Sequence, residues 1–389
     1  MGRPVKREAT FFRAWWFTEE SACGVGKRKG GQVREQVIVG AGISGMVAAI
    51  NLARDGYSVL VRERRGEVGG ATDIKGLEEK VINIGDGTPI NLERLRAYTG
   101  IDVSPAAVPL EDVRNHMYGR TFDLKFSGNV PVYLVERGPR STSLDVFLYE
   151  LALSEGVEFR FNDTVTDFDE LPPDSIIATG LFGESFEALK VPHLPVYGYI
   201  AMGETDRLDP FVIIYFDEYT RDYAFYSRVN GACGAVLFSR GKPLDVSVRE
   251  RFQRQLEEND GIYFDTWDAV SIGALPVECP SNPRLFARNY ILSGTLSGTI
   301  DPFLLFGVHG AFVSGKIAAM AVRDHHGALA EFARVNRNYR RGFLVSTIYR
   351  HVPMWLLKRA TWTGVRLYPV LSPLMGDRMF GLLPGYGRI

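Results

Sequence analysis

The stretch VIVGAGISGMVAAINLARDGYSVLVRE, residues 37–63, decides the fold. Residues 36–39 form a β-branched run, 40–45 a glycine turn and 46–54 a helical stretch. Asp55-Gly56 closes that helix, and 57–62 reads as a second strand, so the unit is β-α-β and the ordered fold is expected to start at Glu35. Gly40, Gly42 and Gly45 make a GxGxxG between strand and helix. The first permits a tight turn, the second lets the backbone approach a pyrophosphate, and the third lets helix and strand pack closely. With Ala41, Ile43 and Ser44 they form a loop whose helix N-terminus offers free N–H groups and a positive dipole end to phosphates. Glu63 ends the second strand 18 residues after Gly45, where a carboxylate can accept hydrogen bonds from ribose hydroxyls. Strand, turn, helix and acid in register predict a dinucleotide site.

Outward from this unit the chain alternates in character. Residues 144–154 have helical spacing and stop at Gly156, while 157–161 and 175–179 read as strands. From about 190 to 285 the pattern changes to short β-rich runs at 196–202, 211–216, 223–228 and 235–239, separated by turn residues, with a helix expected over 246–258. A strand at 290–293 and a helix at 310–323 return to the first pattern. The expected fold class is therefore α/β: a parallel-sheet dinucleotide fold with an inserted antiparallel-sheet substrate domain and a helical C-terminal tail. The boundaries expected are a basic leader at 1–35, a discontinuous cofactor domain at 36–110, 140–189 and 286–330, a substrate domain at 111–139 and 190–285, and a tail at 331–389.

Four further motifs carry a resemblance to known flavoproteins. Arg64 follows Glu63, and Gly69-Gly70 and Ala71 come six residues on; this resembles the Glu-x5-GG extension of FAD-dependent oxidoreductases with the glutathione-reductase-like fold, which implies FAD. Residues 291–322 are similar to a segment of geranylgeranyl reductases, with Gly294, Gly298, Asp301-Pro302, Gly307, Ala311, Ser314-Gly315 and Ala318-Ala319 in register. That resemblance implies that Gly294, Thr295, Asp301, Gly307 and Val308 hold the ribityl chain and flavin ring. Thr295 stands where the family has Asp, and its hydroxyl can still hydrogen-bond a ribityl hydroxyl, without charge assistance. Residues 133–165 resemble the reductase pattern of strand, arginine, then Leu144-Asp145, Leu148, Ala152 and Gly156, which implies Arg140 as the pattern's arginine and Val165 near the cofactor. SIIATG, ending at Gly180, resembles the strand and turn that pass the cofactor in these proteins. Of the reductases' aromatic substrate stretch only Tyr223 and Phe225 remain within 222–231.

The resemblance implies reduction of C=C bonds in a polyprenyl or other lipophilic chain by hydride transfer from the flavin. The chain has no second GxGxxG, so a nicotinamide donor, NAD(P)H, would bind transiently, or another electron carrier serves. Two alternatives stay open: an NAD(P)H-dependent flavin monooxygenase or a desaturase or amine-oxidase-like enzyme on the same fold, and a non-catalytic prenyl-binding escort protein. No catalytic residue is identifiable from the sequence.

Composition narrows the classes further. With 46% apolar and 23% charged residues over 389 positions, the chain is globular rather than disordered. Cys23, Cys233 and Cys279 lie far apart with no CxxC, which excludes a disulfide scaffold and a thiolate zinc site and suits a reducing, cytoplasmic setting. The six histidines show no metal spacing, so no metal is expected. His309 precedes the Gly310 helix and reads as a structural residue or one near the flavin, while Asp167, Asp169 and Asp217-Glu218 read as loop charges. No apolar run reaches the roughly 18 to 20 residues of a spanning helix, so a soluble or peripheral protein is expected.

The net charge of −1 hides a division: residues 1–36 carry +4, 332–389 carry +9, and 37–331 carry −14. In the tail, arginines alternate with Phe343, Tyr349, Trp355, Leu356, Leu357, Trp362, Tyr368 and Phe380, a mixture suited to an anionic membrane surface. A solvated basic face is the competing reading. Pro353, Pro369 and Pro373 are expected to cut the tail into short pieces. FFRAWWF at 11–17 has the same flavour, and it lacks the apolar run and cleavage site of a secretory signal. No nucleic-acid-binding motif accompanies the charge, so no nucleic-acid partner is expected.

Overall fold

A computed structural model describes residues 34–69, 74–75, 81–126, 131–217, 220–276, 283–375 and 389. The leader at 1–33, Gly70, Ala71, Cys23, Cys279, Glu218 and the tail beyond 375 up to 388 lie outside the described residues.

The opening unit consists of β1 (Glu35–Val39), α1 (Ile43–Arg54) and β2 (Ser58–Arg62). The helix begins three residues earlier than its apolar spacing predicts, because Gly42 is itself the extended N-cap residue. β1 and β2 pair in parallel over Glu35↔Ser58 to Val39↔Arg62. Around them a six-stranded sheet takes the order Phe286–Ala287, Tyr290–Leu292, Ile176–Ile177, β1, β2, Glu158–Arg160. Its pairings are parallel except at the Phe286–Ala287 edge. Helix Val308–Ala321 lies against α1, and Met46, Val47, Phe312 and Ile317 between them have no solvent exposure. A Cβ on Gly45 would sit 2.0 Å from the Gly40 carbonyl oxygen, so only glycine lets α1 come this close to the strand-to-helix turn.

A second sheet has eight strands in the order Ile74–Lys75, Asp268–Pro276, His193–Glu204, Ala232–Arg240, Ala224–Val229, Phe211–Phe216, Asp112–Met117, Arg120–Lys125. It is antiparallel apart from the pairing of Phe211–Phe216 with Asp112–Met117. Helix Val246–Asp260 covers one face, burying Phe252 and Leu256 against Tyr215, Tyr226 and Leu237. A three-stranded sheet of Ile84–Pro89, Val132–Arg137 and Val108–Pro109 lies beside it. The fold class is the expected one, an α/β molecule with parallel and antiparallel sheets and a helical C-terminal region.

The tail corrects one expectation. After His325–Val335 come two helices, Tyr339–His351 and Met354–Met375, separated at Pro353 as expected. The second runs 22 residues through Pro369 and Pro373. Each proline deletes one N–H donor, but both fall in the helix's last two turns and Pro369 is exposed, so water can serve the released carbonyls. No helix among the described residues is long and apolar enough to cross a membrane.

Candidate dinucleotide site and substrate cavity

One cavity of about 880 Å³ runs from the glycine loop to the inner side of the C-terminal helices. At its first end it is lined by Gly40, Ala41, Gly42, Ile43, Ser44, Glu63, Arg64, Gly69, Val165 and Gly180, joined by Gly294, Thr295, Gly307 and Val308 from the far side of the chain. The parallel sheet explains the convergence. β1, β2 and Ile176–Ile177 end side by side, so the loops after them meet at one edge.

The polar groups at this end fit a dinucleotide. No side chain caps the N-terminus of α1, which leaves its first N–H groups for a ligand, and a Cβ on Gly42 would meet nothing within 4 Å. The Thr179 and Thr88 hydroxyls, both lining the cavity, are buried without a hydrogen-bond partner. Glu63 accepts from the Ala41 N–H at 2.8 Å and the Arg65 N–H at 2.9 Å. Each carboxylate oxygen keeps acceptor capacity, so Glu63 can both fix the loop and take a ribose hydroxyl. Arg64 lies over the Phe182 ring at 4.5 Å.

Three expected residues stand elsewhere. Gly45 serves the packing of α1 rather than the cavity wall. Asp301 is buried behind the wall, where it accepts the Phe303 N–H at 3.1 Å and the Leu304 N–H. Burial pushes its carboxyl up to about 6 despite those bonds and nearby Arg240. Arg140 is a correction. Its side chain turns to the Asn230 carbonyl at 2.8 Å and to Glu136 at 3.4 Å, outside the lining. The arginine of this segment that reaches the cavity is Arg137, the last residue of Val132–Arg137, whose Nε and Nη2 grip both oxygens of Asp145 at 2.8 and 3.0 Å.

Arg137 also faces Asp86 at 3.5 Å. Asp86 lies mid-strand between Gly85 and Gly87, and the surface its carboxylate keeps opens onto the cavity within walls of protein. Burial raises its carboxyl above the usual range, and Arg137 only partly opposes this. Sequence reading missed Asp86; the signal was a lone acid between glycines in an otherwise apolar stretch.

Beyond Asp86 the walls turn apolar. Val196, Ile200, Val212, Ile214, Val236 and Phe238 of the eight-stranded sheet line the chamber with Phe216, Tyr223 and Phe225. Alternation sorts the aromatic run at 215–226: Phe216 and Phe225 face the chamber, while Tyr215 and Tyr226 pack in the core under helix Val246–Asp260. Tyr223 donates to the Leu304 carbonyl at 2.6 Å, which ties the sheet to the Asp301 loop. Tyr349, Leu357 and Thr361 close the far end. His309 is buried and off the lining, and no cluster able to hold a metal ion occurs among the described residues.

Comparison with known proteins agrees with this geometry. Residues 38–86 match the NAD(P)-binding Rossmann-like domain. Over 140 residues the chain is 31% identical to notoamide E oxidase notB' of Aspergillus versicolor, a match covering 34% of this chain and 28% of that one. The match thus spans little more than a quarter of that relative's length. A geranylgeranyl bacteriochlorophyll reductase-like protein of Thermoplasma acidophilum superposes with a TM-score of 0.63 at 16% identity, covering 84% of this chain and 91% of the other. CtdE, solved in complex with FAD and a substrate, superposes with a TM-score of 0.58 at 14% identity, covering 88% and 100%. The fold is the one that flavin-dependent oxidoreductases use.

Proposed function

We propose that this chain is an FAD-dependent oxidoreductase acting on a lipophilic substrate, by reduction of a C=C bond in a polyprenyl or similar chain. One observation carries the reading: a single cavity joins a dinucleotide-binding loop to a chamber walled by aliphatic and aromatic side chains. The α1 N-terminus and Gly42 receive the pyrophosphate, Glu63 the adenosine ribose, and Thr295 and the 307–308 turn the ribityl and ring portion. Bound there, the flavin supplies hydride transfer. The protein's own part is to hold the alkene against it, exclude water with the sheet face and handle a proton. Asp86 suits the last task, since its raised carboxyl keeps a proton to higher pH than an exposed aspartate does. A nicotinamide donor would visit transiently.

The experiment is an absorbance spectrum of the purified protein, then anaerobic reduction and a screen of polyprenyl substrates. Stoichiometric flavin and alkene reduction are expected. Absence of flavin would point to a non-catalytic prenyl carrier instead. The identity to notoamide E oxidase favours a second reading, oxidation or oxygenation on the same scaffold. Oxygen-dependent product formation with the same substrates would establish it.

A further inference from the structure

We propose that the outer face of helices Tyr339–His351 and Met354–Met375 docks on an anionic lipid bilayer, and that substrate passes from the bilayer into the cavity beneath them. The docking stands on the surface alone; the passage of substrate rests on the proposed function.

Eight of the fourteen large apolar side chains exposed among the described residues fall within 344–374. They are not scattered. Leu344 and Ile348 are one turn apart, and Leu367, Val370 and Leu374 repeat at helical spacing, with Leu374 77% exposed. Trp355 adds a ring that is 67% exposed. The opposite side of the last helix is already occupied: Leu357 and Thr361 line the cavity, and the Tyr368 hydroxyl donates to the Lys125 carbonyl at 3.1 Å. The helix is therefore two-sided, one face on the cavity and its neighbouring hairpin, the other apolar and exposed.

Charge says what covers that outer face. Residues 332–375 contain eight Lys and Arg and no Asp or Glu. Arg337, Arg340, Arg341, Arg359 and Arg366 are exposed and have no carboxylate partner among the described residues. Arg359 and Arg366, a further seven residues along, flank the Val370 and Leu374 stripe. A second copy of this face would bring like charges together, and the leader at 1–33 is itself basic. Anionic headgroups above acyl chains satisfy both components at once. The contact also lies at the cavity's end, so a lipophilic chain would reach the flavin side without crossing water.

The test uses the full-length, flavin-loaded protein and co-sedimentation with vesicles of phosphatidylcholine alone or mixed with phosphatidylglycerol. Binding is expected only with the mixed vesicles and should fall as salt rises. Arg359→Glu with Arg366→Glu should lower the partition on the order of 10-fold or more. Val370→Ser with Leu374→Ser should weaken binding even at low salt. All four positions are exposed, so unchanged flavin content and melting temperature certify the variants. Equal sedimentation with both vesicle types, none with either, or wild-type binding by both variants overturns the docking. Self-association through the face, seen as a larger mass that the serine variants abolish, overturns it too. Turnover of geranylgeraniol separates the two ideas. Docking-defective variants should reduce it normally in detergent and poorly in mixed vesicles; a protein that binds mixed vesicles but reduces no polyprenyl chain keeps the docking and refutes the substrate reading.

Discussion

Glu63 shows how one carboxylate can fix a loop and still keep acceptor capacity toward a cavity. It accepts two backbone N–H groups, from Ala41 and Arg65, and still faces the cavity. Removing charge-assisted hydrogen bonds costs roughly 1.5–3 kcal/mol, so Glu63→Ala should weaken FAD binding about 10- to 100-fold in a fluorescence titration. An unchanged affinity would make the ribose assignment wrong. Asp301 behaves oppositely, because burial raises its carboxyl to about 6. Folding then favours the protonated form, so the group's contribution is intact below the ordinary carboxylate range and is lost as pH rises through about 6. The loss is at most about 3 kcal/mol. Asp301→Asn cannot ionise yet can still accept the Phe303 and Leu304 N–H groups. Its urea stability should therefore fall less than wild type's between about pH 4 and pH 7. The cavity wall was legible where a motif is local in sequence, as at Gly40, Gly42 and Glu63. It was illegible where placement depends on strand register, which turned Arg137 rather than Arg140 to the cavity.

Elements were legible where the hydrophobic period was clean. Leu144–Ser154 and Phe211–Phe216 fall where their patterns place them, the first capped at its N-terminus by the Ser143 hydroxyl accepting the Val146 N–H at 3.1 Å. Ala232–Arg240 runs longer than its apolar run because it pairs with His193–Glu204 over nine residues, a partner no local pattern reveals. Which aromatic faces the chamber was also beyond the sequence, since both sheet faces are apolar. The structure now separates them. Phe252 is fully buried under the sheet, and Phe252→Ala should cost about 3–5 kcal/mol in denaturant unfolding. Phe225 faces the chamber and is only partly buried, so Phe225→Ala should cost markedly less and instead alter substrate selection. Equal destabilisation by the two would put Phe225 in the core rather than on the chamber wall.

At the scale of the molecule, the eight-stranded sheet and the loop after Asp301 meet at one buried arginine, held in place by an ion pair within the sheet region. Arg240, at the end of Ala232–Arg240, pairs with Asp222 at 2.7 Å, both side chains 3% exposed. Asp222 also accepts the Arg240 backbone N–H at 2.9 Å, and Arg240 reaches across to the Pro302 carbonyl at 3.0 Å. This contact fixes the loop between Asp301 and Val308, whose far end lines the glycine-loop end of the cavity, against the sheet that shapes the chamber. Breaking one partner leaves the other charge buried alone, which typically costs 3–5 kcal/mol, whereas replacing both with apolar residues of similar volume is often near neutral. Arg240→Met and Asp222→Leu should each destabilise the protein by roughly that amount, while the double variant should recover most of it. Stability and cofactor retention should then part company. The double variant regains a packed interface but not the anchor on the Pro302 carbonyl, so it should lose flavin faster than wild type at the same melting temperature. Stopped-flow release of flavin beside calorimetric melting would test this. A double variant that holds flavin as wild type does would show that the loop needs no tether from the sheet.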